Sequence, residues 1–355
     1  MSKYWSPLTA SLEPYVPGEQ PKDKRYIKLN TNESPYPPSA KVLEAINGAV
    51  NEDLRLYPDP NCEALIEAAS AYYGLSPEQT FVGNGSDEIL AFAFAAFFDP
   101  KKPLMFADIT YSFYKVYAKF YGLEPQLISL DDELGIPLDQ FHGDGHGGVI
   151  IPNPNAPTAE LLSLEAIRTL LEQNRDVVVV IDEAYIDFGG ESAIALIGDY
   201  DNLLVIQTLS KSRALAGLRV GFAFGSPELI DGLNRIKNSF NSYTLDRLAL
   251  RGAVAALQDE EYFKQITDKV IATRERVAEQ LRGLGFRVTN SKANFLFISH
   301  DDFAAKDLFL ALRERGVLVR YFAQPRIDNY LRVSIGTDDE MDTFLKLTKE
   351  MIGHS

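Results

Sequence analysis

Two apolar runs constrain the fold of this chain more than any other feature. They are "DVVVVIDEAY" (Asp176–Tyr185) and "NLLVIQTLS" (Asn202–Ser210). Neither alternates apolar with polar residues, so neither can turn one face to water. Strands apolar on both faces belong inside a mostly parallel sheet covered by helices. "TFVGNG", "PLMFAD" and "GGVIIPNPN" read as further strands. Helical patterns lie between them, in "SDEILAFAFAAFF", "SFYKVYAKFYG" and "LEAIRTLLEQN". Ser86 is expected to cap the first of these, with acids in its first turn. Strands alternating with helices over Thr80–Gly225 predict a layered α/β domain.

The flanks read differently. Residues 1–40 are rich in Pro, Asn and Ser and predict an arm. A helix from Ser39 to about Val50, and another over "CEALIEAASAYYG" stopped by Gly74, open a large domain spanning 41–240. Beyond it, helical patterns fill Leu245–Leu284. Then come "FRVT", "NFLFIS", a helix near Ala304–Arg315, "GVLVR", "YLRVSIGT" and a last helix. This predicts a small α+β domain over 241–355.

Charge narrows the partners. The 35 basic and 50 acidic residues leave a net charge of −15, which argues against nucleic acid and anionic membranes. A bound anion must be held by a few local basic residues. Cys62 is the single cysteine, so there is no intrachain disulfide. The opening "MSKYWSPLTASLEPYVPG" has no apolar signal core, and the run Ile89–Phe98 is too short to span a bilayer. The expectation is a cytoplasmic protein.

The chemistry gathers at strand ends. Asp182 and Glu183 close one apolar run, at the edge where open α/β sheets bind ligands. A carboxylate there can bind a metal, cap a helix or meet a protonated ring nitrogen. Tyr185, three residues on, can reach the same crevice. "VGNGSDE" is a glycine turn feeding a helix N-terminus, whose free N–H groups suit an anion. It is not the dinucleotide fingerprint, because Glu88 stands where that pattern needs its third glycine. Lys211 follows the second apolar run. Desolvation makes such a lysine a usable amine nucleophile, and Ser210 and Arg219 beside it can hold a phosphate dianion. A lysine for a carbonyl, a phosphate site and an acid for a pyridinium are the equipment for pyridoxal phosphate. No metal is expected: "HGDGHGG", with His142 and His146, reads as a glycine loop before a strand. Cys62 has no nearby His to activate it, and Arg326 reads as a solvated loop residue.

In combination these residues resemble the fold-type I pyridoxal-phosphate aminotransferases. The likeness runs through the whole chain in "LEPYVPG", "LNTNESPY", "YPDP", "GNGSDE", "ITYSFY", "PNPNAPT", "DEAYIDF", "TLSKSRALAGLRVG", "NFLFI" and "LRVSIGT". The lysine segment and the terminal "LRVSIGT" favour the histidinol-phosphate branch. The resemblance implies a three-layer α/β fold and a homodimer with shared active sites. It implies transamination of histidinol phosphate with 2-oxoglutarate. An aromatic amino-acid aminotransferase and a decarboxylase of a phosphorylated amino acid stay open as alternatives. A cofactor-binding regulator would need a DNA-binding domain for which the chain has no room.

Roles follow from the same resemblance. Lys211 would carry the cofactor aldehyde and shuttle a proton, Asp182 would pair with the ring nitrogen, and Tyr185 would donate to the ring oxygen. Gly85, Ser86 and Asp87 would offer backbone amides to the phosphate, with Ser210 and Arg219. Tyr111 would stack on the ring, and Tyr57 would reach the phosphate from the partner subunit. Arg332 and Arg320 would bind the substrate anion, and Tyr15 would close over it. One position departs from the family's P-N-N-P-T-G. Ala156 replaces the asparagine that donates to the ring oxygen, and Ala159 the glycine. Asn155, next to it, is the adjacent candidate cofactor-binding residue.

Overall fold

A computed structural model of the chain describes residues 2–15 and 18–353. Val16 and Pro17 of "LEPYVPG" lie outside the described residues. In chain order the strands are β1 (Ile27–Lys28), β2 (Thr80–Asn84), β3 (Leu104–Ala107), β4 (Pro125–Ile128), β5 (Gly148–Pro152), β6 (Val179–Asp182) and β7 (Leu203–Thr208). They continue with β8 (Val220–Gly225), β9 (Arg287–Val288), β10 (Phe295–Ser299), β11 (Val317–Leu318), β12 (Arg320–Tyr321) and β13 (Tyr330–Ser334).

The large sheet runs β2-β8-β7-β6-β5-β3-β4. The five strands from β7 to β4 are parallel, as their continuous apolar runs require. Every residue of β5, β6, β7 and β8 is buried. Successive side chains feed opposite helix layers: Val179 and Ile181 enter one core, Val180 and Ile150 the other. That division makes the three-layer architecture. Two sheet members carry no such signal in the sequence. β8 runs antiparallel to both β7 and β2. β4 is an edge strand whose Gln126 and Leu127 are exposed.

Ser39 caps the helix Ala40–Gly48 by accepting from the Val42 amide at 3.3 Å. Ser86 does not cap. The helix Gly85–Phe97 already starts at Gly85, Asn84 holds the cap position without a side-chain bond, and Ser86 lies within the first turn. The Glu88 carboxylate instead accepts from the Asn84 amide at 2.7 Å.

The second layered unit has the sheet β12-β13-β10-β9, all antiparallel. Its core joins Val270, Val277 and Leu281 with Leu296, Leu308, Val333 and Phe344. "GVLVR" is not one strand. β11 pairs in parallel with β1 of the arm, whereas β12 pairs with β13. The arm is thereby built into this unit, and Leu29 lies in its core. The helix Arg247–Gln258 follows residue 240, yet Ala249, Ala253, Ala256 and Leu257 pack into the core of the large sheet. Among the described residues no helix is long and apolar enough to cross a membrane.

Candidate active site

The carboxyl ends of β2, β6 and β7, with the start of β8, open onto one cavity of about 360 Å³. Small-molecule sites run from about 300 to 1,000 Å³. The arm and the strands β12 and β13 close its other side, through Asn30, Thr31, Asn32, Arg320 and Arg332.

Asp182 is the last residue of β6 and is buried. Its Oδ2 accepts from the Tyr114 hydroxyl at 2.9 Å. Its Oδ1 has no hydrogen-bond partner among the described residues. Burial pushes this carboxyl up to about 6, against the Tyr114 bond, which lowers it, and with the nearby Asp87 charge, which raises it. Its neighbour Glu183 points to the other side of the strand. There Ser192, the Ala193 amide and Gln207 all donate to it. Burial still pushes Glu183 up to about 7.

Lys211 lies three residues past β7, and its Nζ donates to the Thr31 carbonyl at 3.3 Å. That ammonium stands 5.8 Å from the centre of the Tyr185 ring. Tyr185 sets its ring edge-on to Phe295 and accepts from Asn32 Nδ2 at 3.1 Å. Ser210 and Thr208 share a hydroxyl contact of 2.9 Å at the end of β7.

Of the glycine turn, Ser86 and Asp87 line the cavity, whereas Gly85 lies behind the lining. Gly85 has φ of 75°, and a Cβ there would sit 2.6 Å from Arg219 Nη2. A Cβ on Gly221 would sit 2.6 Å from Gly85 C and Ser86 N. Backbone and guanidinium can approach this closely only because both positions are glycine. Arg219 donates to Asp87 Oδ2 at 2.9 Å, and the Tyr111 hydroxyl to Asp87 Oδ1 at 3.1 Å.

Two arginines also line the cavity. Arg332 and Arg320 are register partners across β13 and β12. Arg332 donates one N–H to the Asn30 carbonyl at 3.0 Å, but its Nε has no partner among the described residues. Desolvation, and secondarily the Arg320 charge, lower its pKa. Tyr15 lines the same cavity and packs on Phe113 at 4.9 Å.

Lys211, Asp182, Tyr185, Ser86, Asp87, Tyr111, Ser210, Arg219, Tyr15, Arg320 and Arg332 therefore meet around one space. Asn155 does not join them. Its Nδ2 donates inward to the Ile109 carbonyl and to Thr158, and its Oδ1 accepts from Thr110. The cavity wall at this point is Ala156. Tyr57 is 78% exposed and lies outside the cavity lining, stacked on Tyr243 at 4.6 Å. His142 is exposed and His146 buried. Arg326 is no idle loop residue: it holds the Leu130 and Asp131 carbonyls at 2.8 and 2.7 Å. Sequence reasoning missed Asn30, Thr31, Asn32 and Tyr114. "LNTNESPY" and "ITYSFY" contain them, but nothing in their local pattern ties them to a strand end.

Comparison with known proteins gives the family. Residues 24–347 match the model of the family "Aminotransferase class I and II". The chain is 61% identical over 352 residues to a Clostridium acetobutylicum protein named histidinol-phosphate aminotransferase, covering 99% of this chain and 100% of that one. A Clostridium botulinum protein of the same name is 57% identical over 352 residues, covering 99% of each chain. The crystal structure of the Sinorhizobium meliloti histidinol-phosphate aminotransferase, in complex with pyridoxal-5'-phosphate, shares the fold. It superposes with a TM-score of 0.89 at 24% identity, covering 100% of this chain and 99% of that one. A buried strand-end carboxylate facing a lysine across one cavity, in a chain this similar to those relatives over its whole length, belongs to the class I and II aminotransferases and, within them, to the histidinol-phosphate aminotransferases.

Proposed function

We propose that this chain catalyses transamination of L-histidinol phosphate with 2-oxoglutarate, giving imidazole acetol phosphate and L-glutamate, and that Lys211 holds pyridoxal phosphate for it. The observation that carries the reading is a set of buried polar atoms that have no partners among the described residues, around one cavity. Asp182 Oδ1, Arg332 Nε and Asn30 Oδ1 all border it. Buried polar groups are almost always satisfied, so an acceptor-only carboxylate at one end and a guanidinium at the other match a ligand that is cationic at one end and anionic at the other.

The residues present fit the cofactor. A protonated ring nitrogen would donate to Asp182 Oδ1. The turn of Gly85, Ser86 and Asp87 would offer amides to a phosphate, with Ser210 and Arg219. Arg219 would exchange its Asp87 partner for the phosphate, which accepts from guanidinium in the same paired way. Tyr111, tethered through Asp87, would stack on the ring. When bound, pyridoxal phosphate supplies an electron sink for the carbanion formed as Cα loses its proton.

The protein's own groups do the rest. Lys211 Nζ moves the proton between the two carbon positions that exchange it. Tyr185 would donate to the ring oxygen of the cofactor. Arg332 and Arg320 bind the anionic end of either substrate, since phosphate monoester and carboxylate both accept paired N–H bonds. Tyr15 closes over the bound substrate. Tyr57 serves the site of a second copy, in a homodimer. Its exposure and the adjacent exposed Leu54 and Leu56 support this, because they leave an apolar patch for a partner to cover.

Borohydride reduction of the cofactor-loaded protein, followed by peptide mapping, tests the assignment. The adduct is expected on Lys211, and Lys211→Ala should abolish turnover. A stable adduct on another lysine would refute the reading.

A further inference from the structure

We infer that Asn32 is a positioning residue that sets the direction of the Tyr185 hydroxyl proton. The inference rests on the function proposed above.

Asn32 is 1% exposed and lines the cavity. Its backbone is in the left-handed region, with φ of 56°, which asparagine tolerates better than most residues. Each of its polar groups has a partner. The backbone N–H donates to Ser334 Oγ at 2.9 Å, and the carbonyl accepts from Asn294 Nδ2 at 2.9 Å. Ser334 Oγ lies 2.8 Å from Asn32 Oδ1, and Asn32 Nδ2 lies 3.1 Å from the Tyr185 oxygen.

This arrangement fixes which end of the amide faces Tyr185. Ser334 Oγ accepts from the backbone N–H, and Asn32 Oδ1 is the one acceptor within reach of its own proton among the described residues, so the hydroxyl gives that proton to the amide oxygen. Nδ2 is then left for Tyr185. A phenol oxygen has one proton to give and lone pairs to receive with. Asn32 occupies a lone pair, and among the described residues the Tyr185 hydroxyl has no other hydrogen-bond partner. Its proton is therefore free to point into the cavity, where a ring oxygen of the cofactor would accept it. Ala156 supplies no donor on that side, so Tyr185 carries the contact and Asn32 orients it from behind. A donor on the phenol oxygen also strengthens the phenol as a donor.

The test reads the pH midpoint of the visible absorption change of the cofactor-loaded protein without substrate. Donation to the ring oxygen stabilises its anionic form and holds this midpoint down. Asn32→Gly keeps the left-handed backbone accessible and removes the amide. The midpoint should rise by about 0.5–1 unit. In a Tyr185→Phe background the same substitution should add no shift. Equal shifts in both backgrounds, or no shift in either, would overturn the inference. If Asn32→Gly fails to load, Asn32→Asp replaces it. A carboxylate takes the Tyr185 proton rather than donating to the oxygen, so its shift should be larger with Tyr185 present than with Phe, where only its charge acts. An Asn32→Asp shift as large in Tyr185→Phe would overturn the inference too. A wild-type protein with no pH-dependent visible band would refute the cofactor assignment itself, a failure distinguishable from that of Asn32.

Discussion

Replacing Asp182 by asparagine should make the cofactor-free protein more stable at alkaline pH, while weakening its hold on pyridoxal phosphate. The carboxyl is buried, with one oxygen bonded to Tyr114 and the other without a partner among the described residues. Burial raises it from 3.8 to about 6. Roughly two units at about 1.4 kcal/mol each give about 3 kcal/mol. The sign follows from proton linkage. Below pH 4 the group is protonated in both the folded and unfolded states and contributes nothing. Between about 4 and 6 the folded state keeps a proton that the unfolded state releases, so stability falls as pH rises. Above about 6 the whole penalty is present. Asparagine can still accept from Tyr114 and carries no charge. Urea denaturation of cofactor-free wild type and Asp182→Asn at pH 4, 6 and 8 measures the difference. It should be small at pH 4 and approach about 3 kcal/mol in favour of the variant at pH 8. A variant less stable at pH 8, or a difference independent of pH, would refute the reasoning. Cofactor titration of the same proteins should move the other way, because the buried charge is what attracts the ring nitrogen's proton.

Three further outcomes are expected. If Arg332 pairs with the substrate anion as proposed, Arg332→Ala removes one partner of a desolvated ion pair at a typical cost of about 2–5 kcal/mol, so kcat/KM should fall at least about 30-fold for both histidinol phosphate and 2-oxoglutarate; a loss confined to the keto acid would exclude Arg332 from the phosphate. Gly221→Ala drives a Cβ to 2.6 Å from the backbone of Gly85 and Ser86, which cannot rotate aside, so denaturation midpoints should report a loss of about 1–3 kcal/mol and cofactor should be retained less well. Mixed dimers of Lys211→Ala and Tyr57→Ala subunits should regain about half of wild-type activity, since one of the two shared sites would then be intact; no recovery would place Tyr57 outside the partner's site.

The parallel core was legible because its strands are buried on both faces. Val177–Asp182 and Leu203–Thr208 have no polar alternation to confuse the reading. β4 was not legible, because an edge strand exposes Gln126 and Leu127 and begins with Pro125. β8 was hidden because antiparallel addition to a parallel sheet is a matter of topology, which no local pattern records. Within the site, Lys211 and Asp182 stand next to apolar runs and Arg219 follows Lys211 by eight residues, so position and spacing flagged them. Asn155 failed for the opposite reason. Adjacency to Ala156 in sequence does not fix direction, and bonds to Thr158 and to the distant Ile109 and Thr110 turn its amide away from the cavity. Asn32 and Tyr114 act through tertiary contacts with Tyr185 and Asp182, which become visible only once distant segments are brought together.

The pairing of β1 with β11 has a consequence for how the chain is made. The bonds from Arg332 to Asn30 and from Asn32 to Ser334 join residues 302 apart in sequence. On the ribosome the large sheet can close while the arm still waits for its partners. At about 5–20 residues per second that delay is about 15–60 s. For that interval the arm segment around Leu29, an apolar residue that ends up in a core, has no mate. Synthesis therefore leaves the cavity without its Asn30–Asn32 wall until Arg332 and Ser334 emerge, and a nascent chain stalled before Arg320 would display a folded lysine-bearing half without the two arginines proposed to bind the substrate anion.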